Sequence, residues 1–87
     1  ADARTLAREV DAVVVVGGKN SANTRHLAEL CRDIQPRTWH VETEAELQPE
    51  WFAGCQVVGL SAGASTPDWV VEGVASWLRT LRAPGAP

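Results

Sequence analysis

Four consecutive valines, Val13, Val14, Val15 and Val16, run into Gly17-Gly18 and then into a cluster of small polar residues, Lys19-Asn20-Ser21-Ala22-Asn23-Thr24. No other stretch constrains the fold as strongly. β-Branched side chains favour extended backbone. An unbroken apolar run, rather than an alternating one, suits an inner strand of a parallel sheet covered on both faces. The glycines end the strand and a helical pattern follows at once, so strand, tight turn and helix start form one piece. Such a turn presents unpaired backbone N–H groups at one end of a sheet, where the helix macrodipole adds roughly half a positive charge; anions bind there for that reason. This turn, with a second polar turn at residues 61–68, is a candidate cradle for a phosphate or diphosphate.

The rest of the chain supplies the remaining layers. Residues 1–9 read as helix, with Leu6 and Val10 spaced i, i+4 and Ala3 and Ala7 between them, but no N-cap residue opens it. It reads as the tail of a helix that starts upstream. The strand covers residues 11–16, and the helix after it carries Leu27, Leu30, Cys31 and Ile34 on one stripe, ending before Pro36. Residues 38–42 form a second strand, with Trp39 and Val41 on one face and His40 on the other. Thr43-Glu44-Ala45-Glu46 matches a capping box, and the short helical region it opens reaches Phe52, interrupted near Pro49, with Gly54 at its C-cap. Residues 56–60 are a third strand. Pro67 suits the first position of the last helix and Thr66 its N-cap. That helix places Val70, Val74, Trp77, Leu78 and Leu81 on one face. Residues 83–87 read as a disordered tail or linker. The order helix–β–α–β–α–β–α predicts an α/β fold, an open three-layer parallel sheet with helices on both faces. Ligands of such sheets bind outside the carboxyl ends of the strands, where both polar turns fall.

Bulk properties narrow the setting. The 87 residues make one small domain or part of a larger protein. A chain of this length buries only about 60–65% of its unfolded surface, so its own core is marginal. The net charge of -3, with basic residues scattered, argues against a nucleic-acid or membrane surface. No apolar run approaches the roughly 20 residues that span a bilayer, and the start lacks a signal-peptide pattern. Two cysteines, Cys31 and Cys55, make neither a disulfide framework nor a CxxC pair. These features predict a soluble, cytoplasmic protein. The chain contains no Met and opens on Ala, which predicts a processed product or a piece of a longer polypeptide.

Each candidate residue has a plainer reading beside the functional one. Lys19 invites comparison with G-x-x-x-x-G-K-[ST], but Val13 stands where the first Gly belongs and Asn20 follows the Lys; G-x-G-x-x-G fails as well. Ser21 and Asn23 are each able to donate to an anion, and each is equally a good helix N-cap; both readings stay open. Ser65 could cap together with Asp68, yet Pro67 makes Thr66 the better cap and leaves the Ser65 hydroxyl facing outward. Asp68 reads as a helix-dipole partner rather than a base. Cys31 belongs to an apolar helix face, and Cys55 has no metal partner near it in sequence. His26 reads as an exposed helix residue, and His40 faces a helix or solvent. Trp39, Trp51, Trp69 and Trp77 read as packing residues.

Two long motifs carry a specific resemblance. Val15-Val16-Gly17-Gly18-Lys19-Asn20-Ser21-Ala22-Asn23-Thr24 followed by Leu27-Ala28-Glu29-Leu30-Cys31 is the first. Glu50-Trp51-Phe52 followed by Val58-Gly59-Leu60-Ser61-Ala62-Gly63-Ala64-Ser65-Thr66-Pro67-Asp68-Trp69 is the second. In this order and spacing they cover nearly the whole chain and resemble the last domain of the 4-hydroxy-3-methylbut-2-enyl diphosphate reductases, the iron–sulfur enzymes that end the non-mevalonate isoprenoid pathway. The resemblance implies one lobe of a three-lobed enzyme, residues 1–82 being its C-terminal α/β lobe. It implies a central [4Fe–4S] cluster, whose apical iron binds the substrate while two electrons and protons remove the allylic hydroxyl as water. The products would be isopentenyl and dimethylallyl diphosphate, and the electrons would come from a reduced donor such as ferredoxin or flavodoxin. The positions that match the family's diphosphate contacts are Ser21, Ala22, Asn23 and Ser65.

Two departures qualify what is carried over. Ala22 stands where the family usually has Ser, and a lost hydrogen bond to a charged group costs about 1.5–3 kcal/mol. The family's three cluster-ligating cysteines, its substrate-binding histidines and its proton-donating Glu have no counterparts among these residues; neither Cys31 nor Cys55 matches a ligand position. The expectation is a chain that lines the diphosphate pocket and, alone, binds no cluster and reduces nothing. The alternatives are a free-standing, non-catalytic phosphate- or diphosphate-binding α/β module and an interaction domain fused to another protein.

Overall fold

A computed structural model describes residues 7–82. The helix expected over residues 1–9 is therefore seen only at residues 7–9, which are helical, and the tail at 83–87 lies outside the described residues. Three parallel strands, β1 (Ala12–Val16), β2 (Thr38–Val41) and β3 (Val58–Ala62), form one sheet in the order β2-β1-β3. Helix α1 (Ala22–Ile34) connects β1 to β2, and helix α2 (Asp68–Arg82) follows β3. The α/β architecture expected from the sequence is the one observed.

All five residues of β1 have zero exposure. Alternation along the strand sends them to two separate cores. Val13 and Val15 pack with Ala28 and Cys31 of α1 and with Ala7 and Val10. Ala12, Val14 and Val16 pack with Val41, Leu47, Phe52, and Val70 and Val74 of α2. The continuous valine run is thus what a central strand between two helical layers requires. Trp77, Leu78 and Leu81 cover the second core as their spacing predicted, and Trp39 stacks on Trp51 at 4.4 Å between centroids.

Several local expectations are corrected. β3 is shifted two residues toward the C-terminus, so Ser61 pairs with Val15 inside the sheet and the second turn begins at Gly63. The capping box does not close. The segment is a 3-10 turn, Thr43 makes no side-chain cap bond, and the Glu46 carboxylate accepts from the N–H of Glu42 at 2.9 Å. Thr66 lies one residue before the cap position of α2: the Pro67 carbonyl receives the N–H groups of Val70 and Val71, and the Thr66 hydroxyl donates to the Val16 carbonyl at 3.1 Å. Trp69 is 73% exposed and is not a packing residue of the described core. Helical periodicity accounts for this: Val70 and Val74 take the inward positions, and Trp69 falls on the outward side. Gly54, with φ +79°, lies one residue beyond the expected place, because Ala53 is the C-cap of the second 3-10 segment (Pro49–Phe52). Among the described residues no helix is long and apolar enough to cross a membrane.

The entrance to the sheet is held by Asp11. Its carboxylate accepts the N–H groups of Gln56 (2.9 Å) and Val57 (3.1 Å), and its own N–H donates to the Val57 carbonyl at 2.8 Å. The bond from Gln56, then that from Val57, with a smaller pull from Arg37, holds this carboxyl below the usual aspartate range despite a slight desolvation. A lowered folded value means that the stabilisation is present above the ordinary range and is lost as pH falls through the folded value. Unfolding midpoints of Asp11→Asn and the parent chain are expected to differ at neutral pH and to draw together progressively as the pH falls below about 4; a gap independent of pH would contradict the assignment. Burial makes a second, sharper contrast. Val74→Ala is expected to cost about 1.5–3 kcal/mol in denaturant unfolding, and Trp69→Ala within about 0.5 kcal/mol of nothing.

Candidate functional site

β1 is the central strand, and the chain leaves it to one side for β2 and returns on the other side as β3. The strand order therefore reverses between β1 and β3, and the crevice at their carboxyl ends is where open α/β sheets take ligands. Two four-residue turns rim this crevice. In the first, the Ser21 N–H donates to the Gly18 carbonyl at 3.0 Å; in the second, the Thr66 N–H donates to the Gly63 carbonyl, also at 3.0 Å. Both turns are tied to the last residues of β1. The Val16 carbonyl accepts from the Gly63 N–H (3.0 Å) and from the Thr66 hydroxyl, and the Gly17 N–H donates to Val41 across the sheet.

Thr24, 1% exposed in the first turn of α1, fills the space between the two turns. A Cβ at Gly17 would lie 2.7 Å from both Thr24 Oγ1 and Thr24 Cγ2, and a Cβ at Gly63 would collide with Thr24 Oγ1. Glycine is required at both positions because backbone must approach this side chain closely. The sequence reading passed over Thr24. The signal available was its place in the first helical turn, at the end of the polar cluster, but nothing local showed that it faces inward.

Of the expected site residues, Ser21 is the N-cap of α1. Its Oγ accepts from the Thr24 N–H at 3.3 Å and from the Thr24 hydroxyl at 3.1 Å. The helix-cap reading therefore holds for Ser21, and it leaves the serine's own proton to donate elsewhere. Ala22 and Asn23 follow on the exposed side of the first turn, and Ser65 is exposed at the tip of the second. Asp68 occupies the first turn of α2, as a dipole partner does. The carboxyl-terminal ends of β1 and β3 thus place Ser21, Asn23 and Ser65 along one rim of the sheet.

Lys19 is committed elsewhere. Its N–H donates to Glu42 Oε2 at 2.9 Å and its ammonium meets Glu46 Oε1 at 2.8 Å. The hydrogen bond to Glu46 raises the Lys19 value, while burial that would push Glu46 up is outweighed by Lys19 and the Glu42 N–H, leaving Glu46 below the usual range. His40, distant in sequence, reaches the first turn because β2 runs parallel to β1; its Nε2 lies 3.0 Å from the Gly17 carbonyl, the geometry of an Nε2–H donor. His26 is exposed on α1 as expected. The donors left for a ligand are neutral hydroxyls, an amide and backbone N–H groups, a set suited to an anion held by hydrogen bonds rather than by a lysine.

The residues of this chain do not fit an iron–sulfur cluster. Such clusters need several convergent cysteine thiolates. Cys31 belongs to the core under α1, whereas Cys55 packs toward the opposite core, where its Sγ accepts from Arg37 at 3.1 Å. Among the described residues no group of three His, Cys, Asp or Glu side chains could hold a metal ion. A groove of about 810 Å³ lies at the other end of the sheet, between β3 and the last turns of α2, lined by Phe52, Val58, Leu60, Leu78 and Leu81 among others. Its walls are mostly apolar, with Gln56 and Arg79 as polar members.

The chain is 88% identical over 87 residues to a 4-hydroxy-3-methylbut-2-enyl diphosphate reductase of Anaeromyxobacter sp. (strain Fw109-5), covering 100% of the chain and 31% of that protein. A reductase of the same name from Anaeromyxobacter sp. (strain K) is 87% identical over 82 residues, 94% of the chain and 30% of the relative. A solved structure of (E)-4-hydroxy-3-methyl-but-2-enyl diphosphate reductase, described as the terminal enzyme of the non-mevalonate pathway, superposes with a TM-score of 0.87 at 52% identity, covering 90% of this chain and 28% of that one. The chain thus spans less than a third of the length of the relatives it matches. Residues 1–79 match the LytB protein family, and the chain belongs to that family.

Proposed function

We propose that this chain is the C-terminal lobe of a 4-hydroxy-3-methylbut-2-enyl diphosphate reductase and that it supplies one wall of the substrate's diphosphate pocket. The observation that carries this reading is the joining of two glycine turns at the switch point of the sheet through the Val16 carbonyl and Thr24. That joint sets Ser21 and Asn23 on one side of the crevice and Ser65 on the other. The phosphoryl oxygens would accept from these side chains and from N–H groups at the start of α1, where the helix dipole favours negative charge. Ala22 offers only its backbone N–H.

The whole enzyme's reaction, reductive removal of the allylic hydroxyl to give isopentenyl and dimethylallyl diphosphate, needs groups outside this chain. A cluster with its ligands, the remaining lobes and a reduced donor such as ferredoxin or flavodoxin complete the proposed assembly, in the cytoplasm. What this chain's residues do is bind and orient the diphosphate. The high identity to the named reductases supports this reading over a free-standing anion-binding module.

Titrating pyrophosphate into isotope-labelled chain and following amide shifts tests the site. Shifts are expected at residues 17–24 and 63–68, with Ser21→Ala, Asn23→Ala and Ser65→Ala each weakening binding about tenfold or more, as loss of a hydrogen bond to a charged group implies. Ala22→Ser is expected to strengthen it. Unchanged spectra at millimolar pyrophosphate would remove the proposal.

A further inference from the structure

Ser21 does two jobs in the proposed site. As N-cap it must accept from the helix, and as a diphosphate contact it must donate to the ligand. A hydroxyl has two acceptor lone pairs and one proton. Thr24 occupies both acceptor positions, through its backbone N–H at 3.3 Å and its Oγ1 hydroxyl at 3.1 Å. With both filled, the Ser21 proton has only the remaining direction, away from the helix. The same Thr24 side chain is buried between Gly17 and Gly63, so it also fixes how far apart the two turns stand.

We infer that Thr24 is a positioning residue for the anion site, which its hydroxyl serves by holding Ser21 as a donor before the ligand arrives. This rests on the diphosphate reading above. Thr24 does not touch the ligand. It acts by removing alternatives: without the Oγ1 donor, Ser21 has a vacant lone pair, its hydroxyl is free to rotate, and the ligand must order it on binding. The shape of Thr24 and its hydroxyl have separable roles. The branched Cβ and methyl fill the space beside Gly17, and the hydroxyl addresses Ser21.

Two substitutions separate these roles. Thr24→Val keeps the branched shape and removes the donor, whereas Thr24→Ser keeps the donor and removes the buried methyl. Pyrophosphate affinity from the amide titration and thermal midpoints are measured on both, beside the parent and Ser21→Ala. Thr24→Val is expected to bind about tenfold more weakly than the parent, the size of one hydrogen-bond contribution. Thr24→Ser is expected to bind within about twofold of the parent, and to melt at a lower temperature because it leaves a small cavity. Affinity would then follow the hydroxyl and stability the methyl. An affinity order that simply follows the melting order would overturn the inference and reduce Thr24 to packing. Parent-like binding by Thr24→Val alongside weakened Ser21→Ala would overturn it while leaving the diphosphate reading intact. Absence of binding by the folded parent chain would overturn both.

Discussion

Five successive residues of β1 have no exposed surface, and every other part of the structure is placed by that burial. A strand covered on both faces needs one helical layer on each side, and α1 and α2 provide them with stripes of complementary spacing. Burying a valine side chain contributes about 1.5–3 kcal/mol, so four in sequence anchor the sheet in a domain whose size gives it little to spare. The strand also ends where it matters. Its last carbonyl, on Val16, receives both an N–H and a hydroxyl from the turn after β3. Core packing and the geometry of the crevice are therefore set by the same residues.

Charge plays a smaller part at the crevice than the presence of Lys19 suggests. Glu42 and Glu46 hold that residue by its backbone N–H and its ammonium. Because Lys19 is 55% exposed, the ion pair adds little stability; its effect is to keep the cation turned toward the end of β2. In the proposed site, an anion would be left to hydroxyl, amide and backbone donors. Hydrogen bonds of fixed direction distinguish the shape of a diphosphate where a mobile ammonium would only attract charge.

Much of this was legible in the sequence. The valine run specified the central strand, and the i, i+3, i+4 spacing identified the inward face of α2. Ser21 and Asn23 stood out as small polar residues after paired glycines, and Ser65 as a second such residue before a proline. At both misread caps a distant partner takes part. Thr66 has the chemistry of an N-cap, but α2 starts from the Pro67 carbonyl, and the Thr66 hydroxyl donates to the Val16 carbonyl, 50 residues earlier in the chain. Thr43 and Glu46 have the residues of a capping box, but the Thr43 side chain makes no cap bond, and the Glu46 carboxylate is shared by Lys19 and the N–H groups of Glu42 and Thr43. Trp69 looked like core because tryptophan is large and apolar, and only the helix phase shows that it faces out.

The sequence by itself determined the layers, the order of the elements and the residue types at the two turns, because hydrophobic periodicity and turn chemistry act over a few neighbours. Only the tertiary structure decided the strand order β2-β1-β3, the two-residue shift of β3, and the approach of His40 to the first turn. It alone decided that Thr24 lies between Gly17 and Gly63. The physical reason is that a close contact between two turns more than 40 residues apart depends on strand register, and register is fixed by which side chains fill both cores at once.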